Sequence, residues 1–196
     1  MRDKGGLLKM LGKLMTNECW QSFKKLTERL ELRLVTVSDS AALQKLMTPA
    51  ISRWVAAWPY PLTQEAAEKI IDKALTGHAE QRTLPLVIVN QADNQVIGWI
   101  KVDFEEFDGK RVGEIGYWLS EEVHGVGLGY EAAQGLIAAC FEGLRVHSMR
   151  AGAQTENTIS HNLLMKLGMH RIGEQLVFAP ARNRDELCTY FEMMRT

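Results

Sequence analysis

Apolar residues along this chain repeat first at helical spacing and then at strand spacing. Leu7, Leu8, Leu11, Leu14 and Met15 recur at helical intervals with lysines between them. This predicts one or two basic amphipathic helices from about Leu7 to Leu30. Leu32, Leu34, Val35 and Val37 mark a strand. Ser38 is placed to cap a helix over SDSAALQKLM, and Pro49 to open a short one carrying Ile51, Trp54 and Val55. After the rigid Trp58-Pro59-Tyr60-Pro61 connection, Thr63 can cap a third helix. It runs to about Leu75 and is ended by Gly77. The period then shortens. LPLVIVN, QVIGWIKVDF and RVGEIGYWLS read as three antiparallel strands, joined by turns at Gln91–Asn94 and Phe107–Lys110. A helix from about Gly127 to Phe141 shows Leu128, Ala132, Leu136, Ile137 and Cys140 on one face. VHSMRAGA is a strand, and a helix with Ile159, Leu163, Leu164 and Leu167 on its apolar side ends at Gly168. HRIGEQLVF and ELCTYFEMM close the chain as a hairpin across Asn183.

A helix between two strands gives a parallel pair, and hairpins give antiparallel ones. The fold class is therefore α/β (α+β), with a mixed, mostly antiparallel sheet of six to seven strands flanked by helices. Residues 1–30 read as an N-terminal helical extension and 31–196 as one domain.

Composition narrows the setting. The chain has 196 residues, 46% of them apolar and 24% charged, with a formal net charge of -1. That is ordinary for a globular protein and gives no global attraction to nucleic acid or an anionic membrane. Cys19, Cys140 and Cys188 are odd in number and show no metal or redox spacing, so a reducing cytoplasm and no metal are expected. The basic start lacks the unbroken apolar stretch of a signal peptide. Its amphipathic helix is read as packing on its own domain or on a second subunit, which would give a homodimer contact, with an arm that docks on a membrane surface or a partner as the rival reading.

The chemistry-bearing stretch is Gly116-Tyr117-Trp118-Leu119-Ser120, followed by His124-Gly125-Val126-Gly127-Leu128-Gly129-Tyr130. A strand enters a glycine-dense turn that opens a helix. Glycines admit a ligand close to the backbone, and the helix start adds partial positive charge, which suits phosphate oxygens. A Walker loop would need a terminal Gly-Lys-Ser/Thr. A Rossmann turn would need its third glycine one position later, after a strand of a parallel sheet. Neither fits. In the second segment, Glu156 to Met169, Asn157 is placed to cap a helix. Ser160 lies on its first turn, so both polar groups can face one cleft.

These two segments resemble motifs A and B of the GNAT N-acetyltransferases. The family pattern Gln/Arg-x-x-Gly-x-Gly/Ala reads His124-x-x-Gly127-x-Gly129 here. The Asn157-x-x-Ser160 start and the Lys166-x-Gly168-Met169 end are also similar. Gly113 to Leu119, with Arg53-Trp54 and Trp58-Pro59 upstream, resemble the branch that acetylates the N-termini of ribosomal proteins. The resemblance covers nearly everything after about Glu31. His124 departs from the usual Gln or Arg, and Leu164 stands where many members carry an acidic Tyr.

The resemblance implies acetyl-CoA as co-substrate, held where two strands splay apart. Tyr117, Trp118 and Leu119 would meet the pantetheine. The main chain of His124, Gly125, Val126, Gly127, Leu128, Gly129 and Tyr130 would grip the diphosphate, with Asn157 and Ser160 beside it. Glu114 is the candidate base for the amine, and Ser160 the candidate acid for the sulfur. Trp54, Trp58 and Tyr60 are the candidate acceptor contacts. The acceptor implied is a primary amine at a protein N-terminus, with a ribosomal protein as the candidate. A small amine such as an antibiotic or polyamine, or a non-catalytic acetyl-CoA sensor, are the rival readings.

Overall fold

In the computed structural model, which describes residues 20–195, eight strands form one sheet flanked by five helices. In chain order these are β1 (Lys24–Leu26), β2 (Leu30–Leu34), α1 (Ser40–Leu46), α2 (Pro49–Ser52), α3 (Gln64–Ala79), β3 (Thr83–Asn90), β4 (Gln95–Phe107), β5 (Lys110–Leu119), α4 (Leu128–Gly143), β6 (Ser148–Gln154), α5 (Thr158–Lys166), β7 (His170–Ala179) and β8 (Arg184–Met194). The sheet order is β1-β2-β3-β4-β5-β6-β8-β7. All neighbouring pairs are antiparallel except β5 and β6.

The strand pattern anticipated this architecture, with two differences at the start of the chain. Lys24–Leu26 is a strand paired to β2, an eighth member beyond the six or seven expected. The helix expected as far as Leu30 therefore stops short, and its stretch before Trp20 lies outside the described residues. Trp20 and Phe23, 5% and 6% exposed, belong to the core. Three residues with little alternation give no strand signal of their own, and β1 depends on the edge that β2 presents.

Two helix boundaries also differ. A 3-10 turn over Val37–Asp39 precedes α1, with Thr36 rather than Ser38 at its N-cap. The Asp39 carboxylate accepts from the Thr36 N–H and pairs with Arg33 through both guanidinium amines, at 2.9 and 2.7 Å. Gly77 does not end α3, which continues to Ala79. A Cβ at Gly77 would lie 2.8 Å from the Thr83 side chain, so this glycine serves close packing of helix on strand. Thr48 and Thr63 cap α2 and α3 as expected for their positions, accepting from the N–H of Ile51 and Ala66.

The two faces of the sheet bury separate cores. Residues directly opposite each other in an antiparallel pair share a face. Ile115, Tyr117 and Leu119 of β5 stand opposite Val102, Ile100 and Gly98. Their side packs with α4 through Leu128, Ala132, Leu136, Ile137 and Cys140, and with Leu164 of α5. Glu114, Gly116 and Trp118 stand opposite Asp103, Lys101 and Trp99. Their side packs with α1 and α3 through Leu43, Ala67 and Ile71, and with Trp58. Among the described residues no helix is long and apolar enough to cross a membrane.

Candidate active site

The parallel β5–β6 pair holds for only three residue pairs, Val112 with Ser148, Gly113 with Met149 and Glu114 with Arg150. Beyond Glu114, β5 continues to pair with β4 and β6 with β8. The two strands splay, and main-chain groups of Ile115 to Leu119 on the β6 side have no strand partner. A wedge of this kind lends an extended amide-bearing ligand a strand edge to pair with. A Cβ at Gly116 would meet nothing within 4 Å, so there is open space beside the wedge.

At the end of β5 the chain turns into α4 through Gly125 and Gly127, whose φ angles are 79° and 85°. Both lie in the left-handed region that glycine enters without steric cost. Gly127 is the N-cap and offers no side chain, so the first-turn amides of α4 have no cap. Those N–H groups also lack partners within the helix. Added Cβ atoms at Gly125 and Gly127 would meet nothing closer than an Arg29 amine at 3.6 Å. Uncapped amides, a helix dipole and open space together fit a diphosphate, and the splayed edge of β5 fits a pantetheine arm. The residues present thus match the requirements of acetyl-CoA.

The His124 side chain is held against the end of β5. Its Nε2 lies 3.0 Å from the Leu119 carbonyl oxygen, so the ring ties the turn back onto the end of β5. The cation at this loop is Arg29, from the β1–β2 turn. It bonds Glu131 at 2.7 Å and donates to the Val126 carbonyl at 3.0 Å. Burial works to raise the Glu131 carboxyl, but hydrogen bonds from Thr27 and Arg29 outweigh it and hold it below the usual range. Lys166 of α5 adds a second positive charge, 4.6 Å from the Tyr130 ring centre. Arg29 lies about a hundred residues before the loop, and nothing local in the sequence announces it.

Asn157 caps α5, its Oδ1 accepting from the Ser160 N–H at 3.1 Å. This holds Ser160 on the first turn, on the same side of the sheet as Tyr117. Trp118 contributes only main chain to the cofactor side. Its indole is buried in an edge-to-face cluster with Trp58, which also meets Trp99, both at 5.2 Å between ring centres.

The other face of β5 carries a cavity of about 140 Å³, lined by Trp54, Glu114, Gly152, Gln154, Cys188 and Tyr190 among others. Glu114 reaches solvent here, yet protein crowds it. Burial first, and then the carboxylates of Asp103 and Glu105, raise its pKa above the ordinary value. Asp103 is its direct cross-strand partner. The acidic stretch after Val102 therefore acts on the candidate base itself.

Of the three aromatic residues expected at the acceptor, Trp54 lines this cavity. Trp58 is 4% exposed within the tryptophan cluster, and Tyr60 is 54% exposed and outside the cavity lining. Arg182 holds the Trp54 segment in place. It pairs with both oxygens of Glu186 at 2.7 Å and donates to the Ser52 and Val55 carbonyls at 2.6 and 3.2 Å. The strand register of β8 could have placed Glu186, Cys188 and Tyr190 on one face, but only the sheet order brings them beside Glu114.

A family model described as the Acetyltransferase (GNAT) domain matches residues 29–170. An uncharacterized N-acetyltransferase, p20, of Bacillus licheniformis is 30% identical over 162 residues, which is 81% of this chain and 88% of that protein. Two solved structures share the fold. RimJ of Mycobacterium smegmatis in complex with CoA-disulfide superposes with a TM-score of 0.75 at 20% identity, over 84% of this chain and 81% of that one. Ribosomal-protein-S5-alanine acetyltransferase of Vibrio fischeri superposes with a TM-score of 0.72 at 21% identity, over 88% and 96%. The splayed strands, the uncapped glycine turn and the family match agree: the chain belongs to the GNAT acetyltransferase family and is an N-acetyltransferase that uses acetyl-CoA.

Proposed function

We propose that the acceptor is a protein N-terminal amine whose first residue is small, as at a ribosomal protein beginning with alanine or serine. The observation that carries this reading is the cavity of about 140 Å³ around Glu114, on the face of β5 opposite Tyr117 and Ser160. It has room for a small side chain, an aromatic wall in Trp54 and a carboxylate at its base. The neighbours named for ribosomal-protein acetylation support the choice of acceptor class.

Acetyl-CoA supplies an activated acetyl group. In this reading the α4 amides orient it, and a β5 N–H between Tyr117 and Leu119 polarises the carbonyl. Glu114 accepts a proton from the entering ammonium, directly or through water, and so frees the amine to attack. Ser160 faces the sulfur. Holding both reactants across the wedge supplies much of the rate.

Release of thiol from acetyl-CoA, measured against peptides beginning with Ala or Ser and against polyamines and aminoglycosides, tests the acceptor. Peptide turnover with little response to small amines is expected. The reverse preference would replace the peptide reading with a small-molecule one. The pH-rate profile tests Glu114. The wild type should show a rising limb above the ordinary carboxylate range, because the base works ionised and its pKa is raised. An identical profile in Glu114→Gln would remove that role.

A further inference from the structure

One cross-strand arrangement shapes the cavity beside Glu114. Tyr190 on β8 stands between two glycines, Gly152 on β6 and Gly173 on β7. A cross-strand partner ordinarily carries a Cβ about 4.5–5.5 Å away, which props its neighbour upright. Neither neighbour of Tyr190 has one, so the ring can lie down across the sheet. It lies to one side. A Cβ at Gly152 would fall 2.8 Å from the Tyr190 Cζ and 3.1 Å from both Cε atoms, whereas a Cβ at Gly173 would meet nothing within 4 Å. The outer end of the ring therefore rests on the bare backbone of Gly152. That is also the side nearer the candidate base, because Arg150, two residues before Gly152, is the register partner of Glu114. Gly152, Tyr190 and Glu114 all line the one cavity.

The other aromatic residue there, Trp54, comes from the turn after α2 and forms a wall. Tyr190 rises from the sheet itself and forms the floor. An amine held at Glu114 leaves its first side chain to share the remaining space with this ring. We propose that the Tyr190 ring, seated on Gly152, is the specificity-determining floor of the acceptor site and limits the acceptor's first residue to a small one. Gly152 belongs to the same device. Any side chain at that position must lift the ring into the cavity or swing it across to Gly173, and either movement changes the floor. The inference rests on the acceptor reading above and names what enforces its small first residue.

The test is a panel of peptides that differ only in their first residue, Ala, Ser, Val or Leu, turned over with acetyl-CoA by the full-length protein. The wild type should favour Ala over Leu by about tenfold or more in kcat/KM, the scale on which a pocket discriminates by bulk. Tyr190→Ala, and Tyr190→Leu as a second truncation, should shift that ratio toward Leu by about tenfold or more. Calorimetric affinity for coenzyme A should stay at the wild-type value in both. Tyr190→Phe keeps the ring and should keep the ratio. Gly152→Ala should change the ratio by about threefold or more with Tyr190 present, because the ring must move. In the Tyr190→Ala background the same glycine substitution should change nothing, since the group it displaces is gone.

A wild-type ratio retained in both truncations would overturn the floor. So would a ratio lost in Tyr190→Phe, which would transfer the effect from the ring to its hydroxyl. An effect of Gly152→Ala that persists without the ring would refute the seat. Turnover of small amines but of no peptide would count against the proposed acceptor. The same variants, compared on amino-acid amides carrying those four side chains, would then still decide the floor. A wild type that acetylates none of these amines would refute the floor and the acceptor together.

Discussion

The two faces of β5 are built from different materials. The α4 and α5 face presents main chain: an unpaired strand edge, two glycines in the left-handed region and an uncapped helix start. The opposite face presents side chains: Glu114 with Asp103 across from it, and a wall made by Trp54, Gln154, Cys188 and Tyr190. Main-chain recognition tolerates sequence change at most positions, provided the glycines stay. Side-chain recognition fails with single substitutions and can be retuned to a new acceptor. One face would thus keep the co-substrate fixed while the other chooses the amine.

This contrast can be broken most severely at Glu114. Glu114→Gln should lower kcat by about 100-fold or more, as loss of a general base does. Thiol release across pH would report it, and the rising limb should disappear. Removing a crowded charge should leave the melting temperature equal or higher at neutral pH. The sign follows from the raised pKa, since ionising Glu114 at neutral pH costs the folded state more than the unfolded one.

The opposite face is tested next, at Gly127. Valine there must adopt a φ of 85°, a strain of about 1–3 kcal/mol. We expect coenzyme A affinity to fall by about tenfold or more, with the acceptor KM little changed. Calorimetry and a peptide titration would separate the two.

Arg182→Ala sharpens the acceptor side. Arg182 and Glu186 have side-chain exposures of only 19% and 9%, so truncation strips a largely buried carboxylate of two hydrogen bonds and leaves it to Arg184 and Gln154. A destabilisation of about 1–3 kcal/mol is expected, together with a raised acceptor KM as the Trp54 segment loosens. The pair should also register in the pH dependence of unfolding. Hydrogen bonding from Arg182 leads in holding the Glu186 carboxyl below its usual value. Its stabilisation is therefore present above the ordinary carboxylate pKa and lost as pH falls through the depressed one. Denaturant melts across acid pH would show a steeper decline in the wild type than in Arg182→Ala.

The smallest effect is expected at Arg29. Its side chain is 47% exposed, so Arg29→Ala should weaken coenzyme A binding only by several fold, more at low salt than at high salt. Salt-dependent titration would measure it.

The same contrast explains what could be read from sequence. The cofactor face is built from contiguous residues, so His124-x-x-Gly127-x-Gly129 and Asn157-x-x-Ser160 carry its geometry in their spacing. Strand alternation likewise puts Glu114, Gly116 and Trp118 on one face. The acceptor face joins Trp54, Glu114, Gln154 and Tyr190, and no local pattern ties those positions together. Trp58 and Tyr60 lay close to Trp54 in sequence and were equal candidates there. Packing sent one into the core and the other to the surface. Arg29 acts on a carboxylate 102 residues away, and Arg182 on carbonyls 130 and 127 residues away, which spacing does not encode. β1 is three residues long and exists because β2 offers it an edge.

The separation of the two faces can be measured in one calorimetric comparison, coenzyme A titrated into the wild type and into Glu114→Gln. Equal affinities, alongside a variant that no longer turns over, are the predicted result. A wild type that takes up no coenzyme A, or a variant that loses binding and turnover together, would contradict the account.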